Sequence, residues 1–301
     1  MKKGRVKIMH KSRRIIGIIA ILAAALNLAA CSGGSAESQV SSAVSSAESG
    51  TVSQPSDDAR IRPDDGKKLG YQLEKPANGE EIAVLTTNMG VIKLRLFPQA
   101  APKAVENFKG LVQKGYYNGI TFHRVINDFM IQSGDPKGDG TGGESIWNEP
   151  FADEFNANLV NIRGSVAMAN SGKDTNGSQF FINQKGTKEA IDWNYYQEAF
   201  DVYRESPEAF IQQYNTYWLD MSKVTDAYKN IYKQYGGNPN LDGAYNIVEK
   251  GHTVFAQVFE GMDVVDKIAS VPVVANDQGE KSKPASKVFI EKAEIVPYNS
   301  K

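Results

Sequence analysis

The chain has 301 residues, of which 41% are hydrophobic, 10% aromatic and 23% charged; this composition is globular and excludes a wholly disordered or collagen-like chain. The formal net charge of −1 hides an asymmetry, because the first thirty residues hold seven bases (Lys2, Lys3, Arg5, Lys7, Lys11, Arg13, Arg14) and no acid, leaving 27 bases against 35 acids in the remainder. An acidic remainder is a poor partner for a nucleic-acid backbone, so DNA or RNA binding is not expected. The single cysteine, Cys31, excludes an internal disulfide and a cysteine-rich metal site. Outside the leader the histidines are His123 and His252, neither in an H-E-x-x-H pattern, and no metal or other cofactor is expected.

Met1 to Arg14 is basic and Ile15 to Leu26 is an apolar run of twelve residues, shorter than the ~20 a membrane-spanning helix needs. Residues 1–30 therefore read as a secretory signal peptide. The run ends in Leu28-Ala29-Ala30-Cys31, which resembles the bacterial lipobox, where the Cys is lipidated on its sulfur and becomes the mature N-terminus. The alternative is a free Cys buried in a signal-anchor helix. Residues 31–80 follow as a Ser-rich tether and irregular lead-in; Ser32 to Arg60 contains ten serines and almost nothing to bury. Such a segment cannot offset its ordering entropy, and as a coil it spans about 30 Å. The expected location is extracytoplasmic, anchored to the cell membrane by lipid on Cys31.

Ile82 to Thr87 and Val91 to Phe97, joined by Asn88-Met89-Gly90, read as a half-buried hairpin. Pro98 stops it, and a helix over Pro102 to Lys114 places Val105, Phe108, Leu111 and Val112 on one face before Gly115. Short β-like runs follow at Ile120 to Val125, Phe129 to Gln132, Ser165 to Ala169, Gln179 to Ile182, Thr253 to Phe259 and Lys287 to Val296. Many short strands punctuated by Gly suggest a mainly β fold, a closed antiparallel barrel.

Three blocks then carry a definite resemblance. Thr121-Phe122-His123-Arg124-Val125-Ile126, Phe129-Met130-Ile131-Gln132-Ser133-Gly134-Asp135 and Gly140-Thr141-Gly142-Gly143 resemble the first signature of the cyclophilins. Met168-Ala169-Asn170-Ser171-Gly172 and Thr175-Asn176-Gly177-Ser178-Gln179-Phe180-Phe181-Ile182 resemble the second, and His252-Thr253-Val254-Phe255-Ala256-Gln257-Val258 the strand that closes the family's site. The resemblance covers residues 81–298 and implies an eight-stranded antiparallel β-barrel capped by two helices. It also implies peptidyl-prolyl cis-trans isomerase activity on proline-containing unfolded or extended polypeptides.

Rotation about a peptide bond meets a barrier of ~18–20 kcal/mol because the nitrogen shares its lone pair with the carbonyl. At the twisted transition state the prolyl nitrogen becomes more basic, and a fixed cationic donor is better paired there than in the planar ground state. Arg124, always charged and able to address nitrogen and carbonyl together, is the candidate catalytic residue. By the resemblance, Phe129, Met130, Phe181 and Leu241 form the pocket for the proline ring, with His252 at its wall. Gln132 bonds the substrate backbone, Ala169, Asn170 and Ser171 offer main-chain groups, and Gln179 orients Arg124 or the nearby loop. In isolation the apolar members read as barrel core and His252 as a packing histidine. Two departures stand out: Asn127-Asp128 replaces the family's common Pro-Gly, and Asn240 precedes Leu241-Asp242-Gly243 where many members carry Trp.

Residues 187–238 form an insertion that ordinary single-domain cyclophilins lack. The stretch from Lys185 to Asn238 holds eight of the thirteen tyrosines and two of the three tryptophans. Lys188 to Arg204 fits one helix. Ser206-Pro207-Glu208 starts a second, along which Phe210, Tyr214, Tyr217, Trp218, Met221, Val224, Tyr228, Ile231 and Tyr232 recur at helical spacing until Gly236-Gly237. The expectation is an inserted helical hairpin, with its aromatic stripes packed on each other and on the barrel, or presented as a client-binding arm. Every recognised site residue lies outside it. The chain is thus expected to be an isomerase of secreted or surface proteins; a non-catalytic extracytoplasmic chaperone or peptide-binding module using the insertion is the alternative.

The lipid assignment has a direct test. Replacing Cys31 by Ser is expected to abolish metabolic labelling with a lipid precursor and to leave unprocessed precursor or released protein; undiminished labelling would refute the lipobox.

Overall fold

The computed structural model describes residues 66–214 and 217–299. The signal peptide, Cys31 and the tether and lead-in up to residue 65 lie outside the described residues. Glu81–Thr87 (β1) and Gly90–Leu96 (β2) form the hairpin, with Thr87 opposite Gly90. From β2 the sheet runs through Val254–Glu260 (β7), Ser165–Met168 (β5), Phe180–Asn183 (β6) and Met130–Ser133 (β4) to Arg124–Ile126 (β3), and Ile290–Pro297 (β10) pairs with the free side of β1. All these pairings are antiparallel.

The expected barrel does not close. The eight strands make an open half-barrel whose edge strands are β10 and β3. Beside that gap the chain preceding β3 meets the chain preceding β10 through one isolated bridge, Thr121 to Phe289, with the Phe122 N–H donating to the Val288 carbonyl at 2.9 Å. β3 is three residues long, too short to present a ladder to β10. A small second sheet pairs Val273–Ala275 (β8) with Lys281–Pro284 (β9), which packs beside β3.

Two helices lie on the sheet. Pro102–Gln113 (α1) has no N-cap from its own flank; the buried Glu154 carboxylate accepts from the Lys103 and Ala104 N–H groups at 3.2 and 3.0 Å and satisfies the exposed helix start. Met262–Ala269 (α5) buries Val264, Val265 and Ile268 in the same core that takes Val105, Phe108 and Leu111. The lead-in is docked on the sheet: Gln72 is fully buried, and its amide exchanges hydrogen bonds with the Val160 main chain at 2.8 and 2.9 Å.

The insertion departs from the expected hairpin. Among the described residues it contains three helices, Trp193–Glu205 (α2), Pro207–Tyr214 (α3) and Asp226–Tyr235 (α4), in place of the expected pair whose second helix ran from Ser206 to Gly236. From Tyr217 the chain is not helical: Leu219 bridges Asn246, the Ile247 N–H donates to the Trp218 carbonyl (3.0 Å) and the Asp220 N–H to the Tyr245 carbonyl (2.7 Å). This path buries the Trp218 indole against Tyr195 and Phe210, with ring centroids 5.5 and 5.6 Å away. Tertiary burial with paired backbone outweighs the modest local preference for helix. The helix restarts where the Thr225 side chain caps the Tyr228 N–H at 3.2 Å.

One carboxylate ties the insertion to the barrel. Asp242, buried, accepts from the Asn161 N–H and side-chain amide at 2.7 and 2.8 Å, and from the Tyr228 and Tyr232 hydroxyls at 2.6 and 2.5 Å. Burial pushes its carboxyl up to about 6 against the pull of these donors. An Asp242→Asn amide would turn a donor toward at least one of those donors, so urea denaturation is expected to show a loss of about 1–3 kcal/mol; unchanged stability would mean the network is not a tether.

Candidate active site

Strand register assembles the site. Arg124 lies opposite Gln132 across β3 and β4, Gln132 opposite Phe181 across β4 and β6, and Phe181 opposite Ala167 across β6 and β5. Directly opposed residues of an antiparallel sheet share a face, one strand spacing of ~4.8 Å apart. A guanidinium, an amide and a phenyl ring therefore stand in one row, and Met130, two residues from Gln132, is on the same side. The alternate residues Val125, Ile131, Phe180 and Ile182 fill the main core. Met130, Ala167, Phe181, Val254 and Leu241 form a separate apolar cluster, with Phe129 and Ala169 packed against it.

At one end of the row the Arg124 guanidinium is gripped by a residue the sequence did not suggest. Its Nε and Nη2 donate to the two oxygens of Glu280 at 2.7 and 2.8 Å, a fork-to-fork pair. The Nη1 edge is turned to the apolar cluster, 4.0 Å from Met130 Sδ, and the guanidinium carbon lies 5.9 Å from the Phe129 ring centre. Burial pushes the Glu280 carboxyl up, but the hydrogen bonds and charge of Arg124 more than offset it and hold the group below the usual range. The Asn276 side chain, accepting from the Glu280 N–H at 2.9 Å, sets the turn that aims Glu280.

Beside Arg124, Gln132 donates to the Gln179 side-chain oxygen at 2.9 Å, and Gln179 donates in turn to the Gly140 and Gly142 carbonyls at 3.1 and 2.7 Å. Gln179 thus holds the glycine loop. Of the trio after β5, the Ala169 N–H is committed to the Gln179 carbonyl (2.9 Å) and the Ser171 N–H to the Thr175 hydroxyl (2.9 Å). The Asn170 amide donates to the Gly251 carbonyl (3.0 Å) and to Asp153 (3.3 Å). Its main chain makes no hydrogen bond among the described residues.

Leu241 ends a short 3-10 turn, Pro239–Leu241, inside the apolar cluster. Its carbonyl accepts the His252 N–H at 2.9 Å, and Gly251 permits this approach, since a Cβ there would stand 2.4 Å from the Gly243 nitrogen. The buried His252 ring meets Phe181 edge-on at 5.1 Å. Its Nδ1 lies 2.9 Å from the Met168 carbonyl, which can only accept, so Nδ1 carries the proton and Nε2 a lone pair. Burial pushes its pKa down to about 4, leaving a neutral imidazole at neutral pH. Tyr217 of the insertion stacks on the same ring at 5.5 Å and 19°. A cleft of about 380 Å³ lined by Tyr71, Arg95, Phe97 and Lys109 is bordered by no signature residue, although Tyr71 and Phe97 pack in the same apolar cluster as Phe181.

With this geometry in view, the family profile described as "Cyclophilin type peptidyl-prolyl cis-trans isomerase/CLD" matches residues 82–295. The chain belongs to the cyclophilin-type peptidyl-prolyl cis-trans isomerases. It is 42% identical to a Staphylococcus saprophyticus subsp. saprophyticus protein provisionally named a peptidyl-prolyl cis-trans isomerase, over 75% of this chain and 97% of that one. A protein of Staphylococcus aureus strain COL with the same provisional name is 41% identical over 74% of this chain and 96% of its own. Among solved structures, a cyclophilin-type peptidyl-prolyl cis-trans isomerase of Cryptosporidium parvum superposes with a TM-score of 0.50 at 26% identity, covering 72% of this chain and 98% of that one.

Glu280 and Tyr217 were missed by the sequence analysis. No local pattern marks either: Glu280 is 156 positions from Arg124, and Tyr217 belongs to a run that reads as a packed helix. If Glu280 holds the guanidinium in this cyclophilin, Glu280→Ala is expected to lower kcat/KM by about 3- to 10-fold, and Arg124→Ala/Glu280→Ala to be no worse than Arg124→Ala alone. Multiplying losses in the double variant would show that Glu280 does not act through Arg124.

Proposed function

We propose that this isomerase accelerates X-Pro rotation by non-covalent stabilisation of the twisted amide, and that Arg124 is its catalytic residue. The row of Arg124, Gln132 and Phe181 carries the reading. Phe181, Met130, Phe129 and Leu241 offer an apolar seat for a proline ring, Gln132 and the Asn170 main chain offer bonds to an extended backbone, and the Nη1 edge of Arg124 is turned toward the same seat. A chain laid there has its prolyl nitrogen beside a cation whose direction is fixed by Glu280.

The energetics set the division of labour. A ~10⁵-fold acceleration corresponds to about 7 kcal/mol of transition-state preference, more than the ~1.5–3 kcal/mol of one charge-assisted hydrogen bond. Holding the flanking residues while the amide twists supplies the rest. His252 serves as pocket wall: its neutral, buried ring and committed Nδ1 proton suit packing rather than proton transfer.

The clients on this reading are newly translocated polypeptides outside the cytoplasm, whose prolines isomerise in ~10–100 s unaided. The basic leader, the twelve-residue apolar run and the Leu28-Ala29-Ala30-Cys31 sequence support export and a lipid anchor at Cys31. Residues 31–80 act as tether and lead-in to the isomerase domain at 81–298.

The catalytic assignment is tested with a proline tetrapeptide. Arg124→Ala is expected to reduce kcat/KM by about tenfold or more while circular dichroism and melting stay close to those of the parent, because the residue acts on the transition state and not on the core. Unchanged turnover would remove Arg124 from the role.

A further inference from the structure

The insertion reaches the site through one side chain. Tyr217 lies nearly parallel to the His252 imidazole, 19° between planes with 5.5 Å between centroids, while Phe181 meets that imidazole edge-on at 87°. His252 therefore has an aromatic neighbour of the barrel on one side and one of the insertion on another. Tyr217 is not a loose flap. The residues that follow it are pinned by the Leu219 to Asn246 bridge and by the Ile247 and Asp220 backbone bonds, and Trp218 next to it is buried between Tyr195 and Phe210. The bridge partners 245–247 belong to the same loop that carries His252, so ring and imidazole are fixed against one another by backbone on both sides.

We propose that Tyr217 is a positioning residue of the proline pocket, stacking on His252 to hold the imidazole edge-on to Phe181 and to keep water from the pocket's outer wall. The proposal deepens the isomerase reading and rests on it. The insertion is then part of the substrate-binding wall, although every site residue recognised in the sequence lies outside it. A proline ring gains affinity from a wall that is rigid and dry before it arrives, because neither rotamer entropy nor bound water has to be given up on binding. The effect therefore falls on substrate binding and not on the rotation itself.

The charged and titratable groups around His252 are few. Lys250 of its own loop sits 4.9 Å from the Tyr217 ring centre, Arg124 acts from β3, the Met168 carbonyl of β5 holds Nδ1, and Asp153 acts on the Tyr217 hydroxyl. Both cations disfavour a charged imidazole, and burial, the dominant cause, disfavours it further. Opening the Tyr217 side to water removes part of the burial, so the imidazole midpoint must move up, toward the ordinary 6.5.

The experiment compares Tyr217→Phe, which keeps the ring, with Tyr217→Ala, which removes it, in the full chain. The His252 midpoint is read by NMR titration of its ring protons, and KM and kcat by isomerisation of a proline tetrapeptide. The Ala variant is expected to raise the His252 midpoint by at least about one pH unit, and KM at least about threefold with kcat within about twofold; the Phe variant is expected to behave as the parent. An unmoved midpoint in folded Ala protein, a loss confined to kcat, or a Phe variant as damaged as Ala would overturn the proposal. Should the Ala variant not fold, Tyr217→Leu replaces it, with KM equal to that of the Phe variant as the overturning result. The titration needs no turnover: an inactive parent with the expected midpoint shift would count against the isomerase mechanism and not against the stack.

Discussion

The register of three short strands is the constraint on which the site depends. Because Arg124 faces Gln132 and Gln132 faces Phe181, side chains from β3, β4 and β6 fall in one line on one face. A slip of one residue in β4 would replace Gln132 by Ile131 or Ser133 and break the line. The slip is prevented from both sides of the sheet. Ile131, Phe180 and Ile182 are locked in the main core, and Met130, Ala167 and Phe181 in the pocket cluster, so every residue of β4, β5 and β6 is buried on one face or the other. Rigidity of the seat is a consequence of that two-sided burial.

Two polar sets at this depth are tolerated because their members are matched to one another. The Arg124 and Glu280 pair is only partly buried, with side chains 19% and 24% exposed, and satisfies both charges in a forked geometry. It leaves a cation oriented without spending the Nη1 edge on the carboxylate. The network at Asp242 works differently, since its donors are neutral: Asn161, Tyr228 and Tyr232 stabilise the carboxylate. Asn161 also accepts from Asn183 of β6 at 3.1 Å, and Asn238 donates to Asn183 at 2.7 Å. A continuous set of hydrogen bonds thus joins the pocket-bearing strand to both ends of the Leu241 turn and to α4, and such networks specify one arrangement because a half-satisfied alternative is costly.

The insertion illustrates how local pattern and tertiary demand diverge. Its aromatic residues recur at helical spacing, and on a single helix they would form one stripe. In the structure they are divided: Phe210 and Trp218 pack with Ala199 of α2, while Tyr228, Ile231 and Tyr232 pack with Val160, Ile162 and Tyr245 of the barrel side. Two separate cores cannot be served by one straight helix, and the non-helical stretch from Tyr217 to Thr225 resolves the conflict. The same stretch brings Tyr217 to His252.

The sequence by itself determined the hairpin over Ile82 to Phe97, the helix from Pro102, the short strands, and, through the ordered signature blocks, the family and the residues gathered at the site. These features are local: strand and helix periods, a proline at a helix start and contiguous motifs are written within a few residues. It could not choose between Phe180 and Phe181 by periodicity, since all of β6 is buried; only the resemblance singled out Phe181. Tertiary structure alone decided that the sheet stays an open half-barrel, that the insertion has three helices, that Glu280 grips Arg124 across 156 positions, and that Tyr217 covers His252. Each of these is a contact between segments distant in the chain, fixed by which surfaces can be buried together, and no spacing within one segment encodes it.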